Sequence, residues 1–103
     1  MHVTLTRVNS TDQPPENAGI VAEEMHGWLR DIEGYEGMVM LAGEEQTIGL
    51  TFWRTREDAD RNSALRLEFL ERMISVAGVE MEERIDLDVR FAQLSPAVNS
   101  VGG

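Results

Sequence analysis

Four stretches of the chain have the hydrophobic pattern of β-strands. Polar and apolar residues alternate along 2–8, 47–54 and 79–91, whereas 37–42 is a short apolar run bounded by glycine. Alternation places successive side chains on opposite faces of a strand, and a short apolar run is typical of a strand covered on both faces. In the last strand, where Glu83 interrupts the alternation, the pattern predicts these inward-pointing residues: Val79, Met81, Ile85, Leu87, Val89 and Phe91.

Two further stretches have apolar residues at helical spacing. The first runs from Glu16 to about Glu33, after a connector that contains two prolines. The second begins directly after the third strand, with Thr55 as the expected N-cap, and continues to Ala77, before a glycine. Its apolar stripe contains Arg66. A buried arginine costs several kcal/mol unless it is paired, so its position needs a partner or a ligand.

The resulting order, β-α-β-β-α-β, predicts an α+β ferredoxin-like fold. We expect an antiparallel four-stranded sheet with two helices on one face, a single domain over residues 1–94 and a flexible tail over 95–103. The face without helices is expected to carry Trp53, Thr51 and Thr47 together with the apolar second strand. An exposed apolar sheet face favours self-association, so we expect a homodimer that pairs as a dimeric α/β barrel.

Composition restricts the classes of function. The 103 residues carry a formal net charge of −10, which disfavours binding to nucleic acids and to anionic membrane surfaces. The chain contains no cysteine, which excludes disulfides, thiolate nucleophiles and zinc–thiolate sites. No apolar run approaches the roughly 18 residues of a membrane span, and no signal peptide is apparent at the N-terminus. A cytoplasmic location is the default expectation.

One segment suggests a family. The sequence LTFWRTREDADRNSALR, residues 50–66, resembles the antibiotic-biosynthesis-monooxygenase-like branch of the dimeric α/β-barrel superfamily, in which a strand ending in tryptophan leads into an acidic helix start. The tetrapeptide Gly34-Tyr35-Glu36-Gly37 also matches the glycine-rich start of the family's second strand. The resemblance covers Val3 to Leu94. The superfamily includes cofactor-free monooxygenases, haem-degrading proteins and members of unknown function.

The resemblance implies a pocket between helices and sheet for an aromatic or apolar small molecule. Quinone-forming enzymes of this family contact a polycyclic phenol through Asn, Trp, Tyr and Arg side chains and use no cofactor. Trp53 would stack on such a ligand, while Asn62 and Arg66 would hydrogen-bond and stabilise a phenolate. The candidate ligand-binding residues are Trp53, Asn62, Arg66, Phe69 and Met73. The only tyrosine, Tyr35, is expected in a loop.

The same residues have structural explanations. A tryptophan at a strand end is often part of the core or of a dimer interface, and methionines fill cores. Arg66 could extend its head to solvent or pair with a strand carboxylate. Haem degradation is disfavoured because the second helix has no histidine to act as an axial ligand.

No metal site is expected. His26 and Glu23 share a helix face, but two such ligands do not make a metal site. His26 itself is expected to be a solvated or boundary residue. Two functions therefore remain: cofactor-free oxidation of a phenol in a helix–sheet pocket, and a non-catalytic dimeric module for ligand binding or assembly.

Overall fold

The structure, a computed structural model, describes residues 1–9, 16–65, 67, 68, 71 and 80–102. Four strands and three helices have both of their ends within these ranges. In chain order they are β1 (His2–Asn9), α1 (Glu16–Leu29), β2 (Tyr35–Ala42), β3 (Gln46–Trp53), α2 (Arg56–Arg61), β4 (Glu80–Asp88) and α3 (Pro96–Asn99). Residues 63–65, 67, 68 and 71 are also helical, but Asn62 caps α2, so the predicted continuous helix is interrupted there. Its predicted end near Ala77 lies outside the described residues. The short helix α3 lies within the predicted tail.

The four strands form one sheet in the order β2-β3-β1-β4, with all neighbouring strands antiparallel. This is the predicted ferredoxin-like α+β arrangement, which the structure confirms. The hairpin between β2 and β3 is closed by a 2.8 Å hydrogen bond from the Gly43 amide to the Gln46 carbonyl. Helices α1 and α2 lie on the same face, where Met25, Leu29 and Ala59 surround Trp53 in a buried cluster.

Trp53 lies on the helix-covered face of the sheet, contrary to the prediction that it lies on the open face with Thr51 and Thr47. Trp53 is only 1% exposed, and Thr51 is also buried. Alternation places all three on the same side of β3. Alternation alone defines two faces without saying which one the helices cover. The tryptophan side chain has the larger area to bury, and its face is the one that meets the helices.

The open face of the sheet is therefore the more apolar one. The register and the alternation place these residues on it: Val3, Leu5, Val39, Leu41, Ile48, Leu50, Phe52, Ile85 and Leu87. Leu41 and Leu87 are 50% and 46% exposed in the single chain. Ile85 and Leu87 were expected to point inwards, but the helices cover the opposite face, which carries Asp86 and Asp88. That expectation was wrong because the single-chain interior is on the more polar side of β4.

A β-bulge explains the interruption at Glu83. Arg7 of β1 pairs with Glu83 of β4, whereas the next residue, Val8, pairs with Met81. Glu82 is thus an extra residue on β4, and an extra residue shifts the phase of alternation by one position. The polar residue that broke the sequence pattern marks this shift of register.

Candidate functional site

Three aromatic or imidazole side chains lie side by side across the helix-covered face. Trp53 of β3 pairs with Tyr35 of β2 on one side and with His2 of β1 on the other. Neighbouring strands in a sheet are about 5 Å apart, so the three side chains are consecutive neighbours. We call Tyr35, Trp53 and His2 the helix-facing row. The next row towards the sheet interior places Thr51 beside Thr4, and both of these threonines are buried.

Trp53 has an unsatisfied polar atom at the centre of this row. The ring packs edge-on against Tyr35, with centroids 5.8 Å apart and planes at 74°. The indole Nε1–H is buried, and no group among the residues that the structure describes accepts a hydrogen bond from it. A buried donor without an acceptor costs roughly 1–3 kcal/mol. A ligand oxygen would satisfy this donor.

Tyr35 links the row to helix α1. Its hydroxyl lies 2.8 Å from His26 Nδ1, and the two rings are 5.7 Å apart. Burial raises the pKa of Tyr35 to about 12, so the hydroxyl stays protonated at neutral pH and donates when His26 Nδ1 is unprotonated. Tyr35 was expected in a loop, but it is the first residue of β2. The expectation that His26 is merely solvated missed this contact, although the ring is exposed.

His2 is buried on the other side of Trp53 and pairs with the partly exposed Asp86. His2 is 3% exposed, and its Nε2 lies 3.0 Å from Asp86 Oδ1. Burial alone would raise the pKa of Asp86, but the hydrogen bond from His2 and the Arg84 charge outweigh it and hold the pKa below its ordinary value. Arg84 Nη2 approaches the same oxygen to 3.3 Å. The Asp86 carboxylate is therefore ionised and fixes one side of the imidazole ring.

The corner that follows Trp53 is organised by Asp58, a buried carboxylate at the start of α2. Thr55 is the N-cap, as predicted: its Oγ1 accepts from the Asp58 amide at 3.1 Å and donates to the Asp58 carboxylate at 3.0 Å. Arg54 and Arg61 donate to the two carboxylate oxygens at 3.2 and 2.9 Å. Burial would raise the pKa of Asp58, but the Thr55 hydrogen bond and the two arginines lower it overall.

Gly34 completes this corner. Its carbonyl accepts a 2.7 Å hydrogen bond from the Arg54 amide, which joins the end of β3 to the segment before β2. Its φ of +91° is in the left-handed region, and an added Cβ would overlap the Asp58 carboxyl group. The Gly34 backbone lies directly against the Asp58 carboxyl group. This contact and the ion pairs of Asp58 fix the direction in which the chain leaves Trp53.

The structure brings together only part of the predicted site. Trp53 lies between helices and sheet, in the location that a helix–sheet pocket requires. Asn62 is the C-cap residue of α2, and its Nδ2 donates to the Asp58 carbonyl at 2.8 Å. The side-chain amide therefore has a structural partner. Three predicted ligand-binding residues lie outside the described residues: Arg66, Phe69 and Met73.

Sequence reasoning missed the pairing of His2 with Asp86. Both lie on the polar side of an alternating strand, and the predicted topology already places β1 beside β4. Taking those two facts together would have predicted a polar contact between the strands. The Arg84–Asp86 contact, by contrast, joins two residues of the same strand, β4.

Two other site types find no support in the part of the chain that is described. No group of three or more His, Asp or Glu side chains there is arranged to hold a metal ion. None of the helices in the same ranges is long and apolar enough to cross a membrane.

Comparison with known proteins identifies the fold. No protein-family model matches the chain. The curated proteins contain no match either. Among solved structures, SnoaB, a cofactor-independent oxygenase from Streptomyces nogalater, has a TM-score of 0.64 at 14% identity, over 88% of this chain and 95% of that chain. A monooxygenase from the gene ActVA-Orf6 of Streptomyces coelicolor, in complex with nanaomycin D, has a TM-score of 0.62 at 12% identity, over 91% of both chains.

This chain has the fold of these monooxygenases. The resemblance to antibiotic-biosynthesis-monooxygenase-like proteins is thereby confirmed at the level of fold, and identities of 12–14% carry it no further. What the site can do follows from its own side chains. The helix-facing row offers an aromatic surface, an indole N–H and a phenolic hydroxyl, and the His2–Asp86 pair adds an imidazole beside an ionised carboxylate.

Proposed function

We propose that this protein binds an aromatic small molecule between its helices and sheet and oxidises a phenol with dioxygen, without a cofactor. The observation that carries the proposal is the environment of Trp53. The ring is buried among apolar side chains, yet its Nε1–H meets no acceptor among the described residues. A planar ligand with an oxygen substituent would both pack against the aromatic surface and accept this hydrogen bond.

The polarity of the helix-covered face supports a ligand site there. A sheet normally turns its more apolar face towards the helices, because that burial stabilises the fold. In this chain the side beneath the helices carries Thr4, Thr51 and His2, all buried, while Leu41 and Leu87 lie on the open side. Polar groups beneath a helix layer contribute little to packing, and they can recognise a ligand that carries hydroxyl or carbonyl groups.

The proposed reaction balances without a cofactor. A phenol with a free para C–H reacts with one dioxygen to give a quinone and one water: one oxygen atom becomes the new carbonyl and the other leaves as water. All electrons come from the phenol, whose ionised form is the more readily oxidised. Dioxygen is the only co-reactant. SnoaB, which has this fold, is a cofactor-independent oxygenase, and that likeness supports the proposal.

We also propose a homodimer formed through the open sheet face. Leu41 and Leu87 are each about half exposed there in the single chain. Pairing two such faces about a two-fold axis would bury the apolar residues and protect the sheet edges. The absence of cysteine and the net charge of −10 suit a cytoplasmic location, which is part of this proposal.

Titration calorimetry with nanaomycin D tests the binding site, and an oxygen electrode with a panel of phenols tests turnover. We expect Trp53→Phe, which keeps an aromatic ring but removes the N–H, to weaken binding roughly tenfold, the effect of about 1.4 kcal/mol. Trp28→Phe is the matched control, because Trp28 packs against the same cluster from α1 but is only partly buried. Equal binding by both variants and the unchanged protein would refute the assignment of Trp53.

A non-catalytic ligand-binding or assembly module is the second candidate. The position of Asn62 favours it, because the side-chain amide donates to the Asp58 carbonyl at the end of α2. An amide held in this way is less available to a reacting oxygen. The same experiments separate the two functions: ligand binding without dioxygen consumption by any phenol would support the non-catalytic module.

A further inference from the structure

We propose that His2 is the base that removes the proton from a phenol bound against Trp53, and that Asp86 positions its imidazole ring. The inference rests on the proposed function, and it assigns the proton transfer to a particular atom. It draws on three features of the structure: the hydrogen bond between the two side chains, the place of His2 in the helix-facing row, and the burial of His2.

The hydrogen bond determines which nitrogen can accept a proton. His2 Nε2 lies 3.0 Å from Asp86 Oδ1. A carboxylate cannot donate, so the imidazole carries its proton on Nε2, and in the neutral ring the lone pair is on Nδ1. Asp88 Oδ1 lies 3.9 Å from Nδ1, which is too long for a hydrogen bond. The atom available to take a proton is therefore Nδ1.

The position of His2 brings that base next to the proposed ligand surface. His2 is paired directly with Trp53 across β1 and β3, on the face that the helices cover. Directly opposed side chains in antiparallel strands have Cβ atoms about 5 Å apart. A phenol that packs on the row beside Trp53 and donates its hydroxyl proton towards β1 would meet His2.

Burial distinguishes His2 from the other histidine. His26 is exposed on α1, and its Nδ1 is engaged by the Tyr35 hydroxyl at 2.8 Å. His2 is 3% exposed and lies beside Thr4, which is also buried. A base shielded from bulk water retains its proton near the substrate, and the adjacent ionised carboxylate stabilises the imidazolium that forms.

The step is a proton transfer with no change of oxidation state. The phenol O–H bond breaks, the proton forms a bond to His2 Nδ1, and the products are a phenolate and an imidazolium that still donates from Nε2 to Asp86. The phenolate is the electron-rich species that reacts with dioxygen. The proton returns from Nδ1 when the second oxygen atom leaves as water, so the neutral imidazole is restored after each turnover.

The test uses 1-naphthol as the probe, because its neutral and ionised forms have different absorption spectra. Binding is measured by calorimetry at pH 7, the ionisation of the bound probe by its difference spectrum, and turnover by dioxygen consumption. We expect the unchanged protein to raise the ionised fraction of the bound probe above that of the free probe at the same pH. We expect His2→Asn to bind 1-naphthol within about threefold of the unchanged protein but in its neutral form, with turnover about 100-fold lower.

Two further variants complete the design. Asp86→Asn keeps an acceptor for Nε2 but removes the charge, so we expect its ionised fraction of bound probe to lie between those of the unchanged protein and His2→Asn. If circular dichroism shows that His2→Asn does not fold, Asp86→Asn is used to test the proposal instead. Asp31→Asn removes an exposed carboxylate that pairs with Arg30, and this variant should match the unchanged protein.

The outcomes separate this inference from the proposed function. Binding of ionised 1-naphthol that His2→Asn and Asp86→Asn leave unaltered would overturn the role of His2 and leave the ligand site standing. An ionised fraction of the bound probe no greater than that of the free probe would also overturn it. A failure of the unchanged protein to bind any phenol would overturn both the inference and the proposed function.

Discussion

Replacing Gly34 with alanine is the sharpest test of how the site is held in place. The residue has a φ of +91°, a region that costs an L-residue roughly 1–2 kcal/mol. The new Cβ would also overlap the carboxyl group of Asp58, and overpacking of this kind typically costs about 1–3 kcal/mol. We therefore expect Gly34→Ala to lower the free energy of unfolding by about 2–5 kcal/mol.

Two other glycines separate the contributions. Gly37 has a φ of +141° but open space where a Cβ would be, so Gly37→Ala tests backbone strain without overlap. Gly27 lies within α1 with nothing near its Cβ position, and Gly27→Ala should stabilise the protein by up to about 1 kcal/mol. Urea unfolding followed by far-UV circular dichroism gives the three free energies. If Gly34→Ala and Gly37→Ala lower the free energy of unfolding by amounts within about 1 kcal/mol of each other, the claim that the close contact with Asp58 fixes this corner is refuted.

Two further predictions concern acid stability and the open face. The folded-state pKa values of Asp58 and Asp86 are lowered from 3.8, so the two carboxylates stabilise the fold above about pH 4, and this stabilisation is lost as the pH falls through the lower folded values. The free energy of urea unfolding should therefore be smaller at pH 3 than at pH 7. The difference between the two pH values should be smaller in Asp58→Asn. A pH-independent free energy of unfolding would contradict it. Leu87→Asp on the open face should convert the proposed dimer to a monomer, as measured by size-exclusion chromatography with light scattering. Glu33→Gln, at another exposed position, should leave the dimer intact. An unchanged mass for Leu87→Asp would exclude the open face as the interface.

The order of elements could be predicted from the sequence because each element has its own periodicity. Thr55 and the acids after it marked the start of α2, and the structure places the N-cap at that residue. The hairpin turn at 43–46 lies between the two predicted strands 37–42 and 47–54. These features depend on interactions within a few residues, so local pattern was enough to find them.

The assignment of faces could not be predicted in the same way. Phe52 and Trp53 are adjacent, and alternation requires only that they point to opposite sides. Which side the helices cover depends on contacts between Trp53 and residues such as Met25 and Leu29, which are distant in the chain. The expectation for Tyr35 was wrong for a similar reason, since its strand assignment depends on pairing with Trp53.

The distribution of polarity across the sheet connects the fold to the proposed function. If stability of the single chain were the only requirement, the face with Leu50 and Phe52 would lie beneath the helices, and the threonines would lie in water. The reverse arrangement leaves an apolar face to be covered by a second copy and places polar groups, including His2 and Asp86, in the layer beneath the helices. The two consequences are coupled. Association through the open face would bury apolar area that the helix-covered face does not provide. The helix-covered face could then retain polar side chains suited to a ligand. A monomeric protein that binds no phenol would break both parts of this argument, whereas a dimer without a ligand would break only the second.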